Sequence, residues 1–160
     1  MPSGIGSKHV LVVACSRRKR TASGLMPAIE RYDGPLFRVL RKARREGYWP
    51  LGLDVFILSA KYGLIDWSEC IEPYELRMTE AISKQLRPQV LRTLASLRLE
   101  HVRELYIELG KDYLKALPVM PQVCPCANIR YGFGTIGRRL HDLKVWLHQS
   151  IPLDDPTPTL

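Results

Sequence analysis

The chain has 160 residues, 46% of them hydrophobic and 25% charged, and a formal net charge of +8. One domain is expected, large enough to bury a core without staples, with the composition of an ordinary soluble globular protein. No apolar run approaches the ~18–20 residues needed to cross a bilayer, and four cysteines in this length do not make a disulfide framework.

Residues Met1–Ser7 carry no apolar signal region, so residues 1–7 are expected to be a flexible N-terminus and the protein to be cytoplasmic, with reduced thiols. His9–Ala14 is a continuous Val-rich run, the pattern of a strand buried on both faces of a parallel sheet. It stops on Cys15-Ser16-Arg17-Arg18-Lys19-Arg20. Asp33-Gly34-Pro35 is turn chemistry and leads a helix Leu36–Glu46, with Leu36, Val39, Leu40 and Ala43 on one face. Arg38, Arg41, Lys42, Arg44 and Arg45 fall on the other face, and Gly47 stops the helix. Asp54–Ala60 reads as a second strand, ending in Lys61-Tyr62-Gly63, and Leu64–Thr79 is less regular.

A helix is expected over Ser83–Leu99, with Leu86, Val90, Leu94 and Leu97 inward and Pro88 in its first turns. Glu104–Leu109 is a third strand, Asp112–Leu117 a short helix, and the connector Pro118–Pro125 leads into a short strand at Cys126–Ile129. Ile136–Gln149 is the last helix, with Leu140, Leu143, Trp146 and Leu147 inward. The polar, proline-rich residues 151–160 read as a disordered tail, leaving residues 8–150 as one domain. Alternating strands and helices predict a single three-layer α/β domain with a mostly parallel, Rossmann-like sheet.

Charge is unevenly placed. Residues 1–50 hold 11 Lys/Arg against 3 Asp/Glu, and the remainder 13 against 13, so the whole +8 lies in the first third. That asymmetry points to an anionic partner: phosphate, nucleotide or nucleic acid. In open α/β sheets ligands bind beyond the carboxyl ends of the strands. If the first two strands are neighbours, Cys15, Ser16, Lys19, Ser59 and Lys61 share that edge. Cations beside Cys15 favour the thiolate, the nucleophilic form. Lys19 and Lys61 suit phosphate, Tyr62 or Tyr74 can stack on a base, and Gly63 allows close approach of a ligand. Cys15, Lys19 and Ser59 are therefore the candidate catalytic residues. Ser16, Lys61, Tyr62, Gly63 and Tyr74 are the candidate binding residues. Arg38, Arg41 and Arg45 would extend a nucleic-acid surface.

Each has a plainer reading: a buried small thiol, a strand-to-loop turn, a solvated helix face. Cys124-Pro-Cys126 lacks the second pair that a metal site needs, so no metal is expected. Gly132-Phe-Gly134-Thr-Ile-Gly137 opens a helix but comes too late in the chain for a nicotinamide fingerprint; no cofactor is expected. With Arg138 and Arg139 that helix start can still attract phosphate.

Three motifs carry a family resemblance: Cys15-Ser16-Arg17-Arg18-Lys19, Leu58-Ser59-Ala60-Lys61-Tyr62-Gly63-Leu64 and Pro73-Tyr74-Glu75-Leu76-Arg77-Met78. Together with Leu105–Leu109 and Asp112-Tyr113-Leu114 they resemble the YaaA-like superfamily over residues 8 to 115. The C-x3-K and L-S-A-K-Y-G-L segments resemble a small single-domain branch, related to a domain of archaeosine synthases. The resemblance implies an α/β fold, an oxidative-stress link, and nucleobase chemistry of the kind that modifies a 7-deazaguanine in transfer RNA. Arg20-Thr21 stands where the synthase motif continues differently, so that particular reaction does not carry over. Three functions remain open. One is an enzyme of base modification or nucleotide metabolism, of transferase or glycosidase type. The others are a non-catalytic nucleic-acid-binding protein of the stress response and a module that only senses a nucleotide.

Overall fold

His9–Ala14 forms β1 at the centre of the sheet, with Val10, Leu11, Val12 and Val13 almost fully buried. The computed structural model describes residues 9–150; the expected flexible N-terminus and tail lie outside the described residues. β3 (Leu53–Ser59) and β6 (Glu104–Glu108) flank β1 in parallel, with Ala14 opposite Leu58 and Val13 opposite Glu108. β7 (Asn128–Tyr131) extends the sheet beyond β6, again parallel. β4 (Gly63–Asp66) returns antiparallel on β3, giving the order β4-β3-β1-β6-β7. Four parallel strands and one antiparallel edge make the mostly parallel sheet expected.

Alternation along β1 divides the core in two. Val10 and Val12 face Leu58, Leu105, Ile107, and Val90 and Leu94 of α3 (Glu80–Ser96). Leu11 and Val13 face Ile57, Tyr106, α2 (Pro35–Glu46) and α6 (Ile136–Gln149). Helices on both faces complete three layers, and each buried aliphatic side chain contributes about 1.5–3 kcal/mol by leaving water. α2 starts on Pro35 and stops on Gly47, left-handed at φ 81°. Among the described residues no helix is long and apolar enough to cross a membrane.

Several bounds differ from expectation. α3 begins at Glu80 because Thr79 caps it, accepting from the Ile82 N–H at 3.2 Å. Pro88 is consequently the ninth residue of the helix rather than in its first turns, on an exposed face. The segment after Tyr62 is a hairpin, not irregular chain. Beyond it, β5 (Cys70–Ile71) pairs with β2 (Met26–Pro27) to form a second, two-stranded sheet. A short helix α1 (Ala28–Arg31) follows β2. α4 (Lys111–Leu114) and α5 (Met120–Val123) connect β6 to β7.

Candidate active site at the ends of beta1 and beta6

The chain leaves β1 towards α2 on one face and leaves β6 towards α4 on the other. Diverging loops of this kind open a crevice at the switch point of the sheet. Here the crevice is a cleft of about 830 Å³, walled by Arg17 and Lys19 after β1, Glu75–Met78, and Gly110–Tyr113 after β6. Its charged residues are Arg17, Lys19, Arg77 and Lys111 against Glu75 and Asp112.

The loop after β1 is fixed by main-chain bonds to the end of α1. Arg20 N–H donates to Arg31 O at 2.8 Å and Asp33 N–H to Arg18 O at 2.9 Å, with Lys19 bridged to Tyr32. Arg31, fully buried, forks onto the carbonyls of Arg20, Ala22 and Gly24 at 2.7, 2.6 and 2.5 Å. Ser16 Oγ donates to Arg18 O and accepts from the Gly34 N–H, so this hydroxyl shapes the turn. Gly34 is required there, because a Cβ would lie 2.8 Å from that of Ser16.

Four cations follow Cys15, and two of them turn away: Arg18 to Asp33 at 3.6 Å and Arg20 to Glu30 at 3.1 Å. Arg17 and Lys19 remain on the cleft. The Lys19 ammonium lies 4.4 Å from the centre of the Tyr74 ring, within cation–π range. Burial holds its pKa below that of an ordinary lysine, while the nearby Cys15 and Glu75 act in the opposite sense. Half-buried Cys15 is not on the cleft wall itself; its Sγ reaches Tyr113 Oη, which is on the wall, at 3.3 Å. Tyr113 Oη can also donate to Cys15 O at 3.4 Å. Burial raises the Tyr113 pKa, and the neighbouring Cys15 adds to the rise, so the phenol keeps its proton.

Cys15 and Ser59 stand at the same edge, since Cys15 N–H donates to Leu58 O at 3.0 Å. Ser59, however, is fully buried and serves as a hub. Its Oγ accepts from the N–H groups of Lys61 and Tyr62, and from Tyr32 Oη at 3.1 Å. With its lone pairs taken, its proton goes to Tyr74 Oη (2.9 Å), and the Tyr74 proton to Tyr32 Oη (2.7 Å). Three hydroxyls thus form a closed ring, and burial raises the pKa of both tyrosines. The Tyr74 hydroxyl is thus committed to the hub, and it is the ring of Tyr74 that Lys19 meets.

Lys61 is exposed, its ammonium 5.2 Å from the Tyr62 ring centre and 5.9 Å from that of Tyr74. Two lysines therefore meet at Tyr74, which also packs edge-on against Tyr62. Gly63 does not face the cleft: it is buried in the hairpin, and the Gln89 amide occupies the space a Cβ would need.

The α2 arginines divide. Arg41 lies inward against Asp33 at 2.5 Å and the carbonyls of Ile29 and Tyr32, while Arg38 reaches Asp33 at 3.4 Å from the surface. Hydrogen bonds from Arg38 and Arg41 hold the Asp33 carboxyl below its usual pKa. Arg45 is exposed. Sequence reasoning missed Tyr32, Arg77, Lys111 and Tyr113. The last two follow the end of β6, where the same strand-end argument that selected Cys15 would have found them.

At the other end of this edge, the Gly132–Gly137 loop packs on Glu108, whose carboxylate is almost fully buried and accepts from Arg139 at 2.6 Å. That arginine is committed to the ion pair. Arg138 lies over the Phe133 ring and reaches Asp142 at 3.6 Å. Among the described residues no group of three His, Cys, Asp or Glu side chains is placed to hold a metal.

Fold and cleft together define a three-layer α/β protein with a cleft at the sheet's switch point. The chain belongs to the family of unknown function DUF6884, whose model matches residues 10–145. Its fold is similar to that of AF0587, a protein of unknown function, with a TM-score of 0.51 at 15% identity over 92% of this chain and 47% of that one. The chain thus spans about half the length of that protein. None of the curated proteins compared with it matches.

Proposed function

We propose that the cleft binds a nucleotide or nucleobase and that the protein is a cytoplasmic enzyme of base modification or nucleotide metabolism. The observation that carries this is the cleft at the switch point, where Arg17, Arg77 and Lys111 line the same walls as Lys19 and Tyr113, the hydrogen-bond partner of Cys15. Arg17, Arg77 and Lys111 provide donors for phosphate, and charge-assisted bonds of this kind are about twice as strong as neutral ones. Lys19, partly desolvated, and Cys15, hydrogen-bonded to a phenol, are the two nucleophiles in reach. The motif resemblance to YaaA-like proteins supports the nucleobase side of the reading.

Calorimetry with a panel of purine and pyrimidine monophosphates tests it. The native protein should bind at least one, and Arg77→Ala with Lys111→Ala should weaken it by roughly 10- to 100-fold, the effect of losing hydrogen bonds to charged groups. Arg92→Ala, on exposed α3 surface, should leave binding unchanged. Cys15→Ser should retain binding and lose turnover. Absence of binding across the panel defeats the reading.

A second reading, a stress-response protein that binds nucleic acid without chemistry, draws on the exposed Arg38 and Arg45 of α2. It requires that Arg38→Ala with Arg45→Ala abolish oligonucleotide binding while the cleft variants do not.

A further inference from the structure

Among the described residues nine large apolar side chains are exposed, and three of them, Tyr131, Phe133 and Ile136, fall within six residues, 45%, 56% and 55% accessible. Scattered exposed hydrophobes need no explanation; a cluster does. This one occupies the end of β7 and the start of α6. β7 pairs in parallel with β6, Ile107 opposite Tyr131, and the Gly132 N–H donates to Ile107 O at 2.9 Å. The cluster therefore emerges one strand away, about 4.8 Å, from the strand that delivers Gly110–Tyr113 to the cleft.

The loop bearing the cluster is held firmly. Buried Glu108 accepts from Arg139, whose Nε donates to Gly134 O at 3.2 Å. Gly132 lies so close to the Glu108 carboxylate that a Cβ would sit 1.7 Å from Oε2. The Arg138 guanidinium lies 4.4 Å from the centre of the Phe133 ring, with Asp142 as its carboxylate neighbour. Exposed Lys111 stands at the start of α4, just after β6, the strand that β7 pairs with, and lines the cleft.

We propose that the ligand of the cleft is one nucleotide of a single-stranded nucleic acid, whose neighbouring base stacks on a Phe133–Tyr131 platform at the end of β7. This rests on the nucleotide reading of the cleft and extends it from a mononucleotide to a strand. Aromatic rings interleaved with cations are the chemistry by which single strands are held: phosphates on the cations, bases on the rings. A paired duplex offers no free base face. A second copy of this chain fits the patch poorly, because an isologous contact would bring Arg138, Arg130 and two +8 chains together. The track runs along the carboxyl edge of the sheet rather than over the arginines of α2.

The test compares labelled single-stranded octanucleotides with nucleoside monophosphates, by anisotropy and calorimetry. Phe133→Ala should weaken the octanucleotide by about 5- to 150-fold, the effect of one stacked base, and leave the monophosphate unchanged. Phe133→Trp should restore the strand affinity. Phe133 is more than half exposed, so a thermal melt should show both variants folded. Unchanged octanucleotide affinity in Phe133→Ala overturns the platform and leaves the cleft reading standing. A dimer that Phe133→Ala dissolves, with no effect on the strand, overturns it in favour of self-association. Strand binding that depends on Phe133 without any monophosphate binding removes the cleft reading, and with it the strand path from cleft to platform.

Discussion

Gly63 shows how much one missing side chain can carry. Its φ of 76° lies in the left-handed region, and the Gln89 Oε1 would be 2.1 Å from an added Cβ. That amide accepts from the Leu64 N–H at 3.0 Å and donates to Leu64 O at 3.4 Å. Gly63→Ala should therefore destabilise the fold by about 2–4 kcal/mol, from left-handed strain plus displacement of a buried hydrogen-bonding group. Urea unfolding measures this, and Gln89→Ala should cost less in the Gly63→Ala background than alone. An unshifted midpoint would refute it. At this scale the sequence was partly legible. Lys19, Lys61, Tyr62 and Tyr74 do meet around one ring, because each lies within a few residues of a recognisable strand end or motif. Gly63 and Ser59 stood out for the same reason, yet the structure uses them for a hairpin and a hydroxyl hub. Tyr32 carried no local signal, since the serine it touches is 27 residues away; Tyr113 followed a strand end, but its pairing with Cys15, 98 residues away, was not legible.

Among the elements, α1 is only four residues long, too short to hold a shape by its own hydrogen bonds. Arg31 holds it, with no carboxylate among its hydrogen-bond partners in the described residues, by tying the Arg20–Gly24 loop to the second sheet. Arg31→Met should remove about 1–3 kcal/mol of stability, the cost of leaving carbonyls that it satisfied without a partner. Arg31→Lys should fail too, because an ammonium cannot fork to three carbonyls. Proteolysis read by mass spectrometry should show new cleavage between Arg20 and Leu25 in both variants; an uncut loop would count against this role. Long periodic elements were legible: β1, β3, β6, α2 and α6 all stand within a residue of where their patterns place them. β2, β5 and α1 were not, because a two-residue strand has no period and is defined only by its distant partner.

At the scale of the molecule, the layered fold followed from alternation of apolar runs and amphipathic helices. The strand order did not, because register between β1 and β6 depends on packing across some 90 residues of chain. That order sets a timetable during synthesis. β1, α2, β3 and β4 can assemble as soon as they leave the ribosome, but the second side of β1 has no partner until Glu104–Glu108 arrives. At ~5–20 residues per second, the 45 positions from Ser59 to Glu104 leave that edge open for about 2–9 s. An unpaired edge as apolar as Val10–Val13 is a template for wrong pairing. Chains stopped at Leu99 should therefore sediment as aggregates while the full chain stays in solution, and equal solubility of the two would show that the open edge is harmless. A newly made copy of this protein is thus most in need of a chaperone in the seconds before its third long strand is translated.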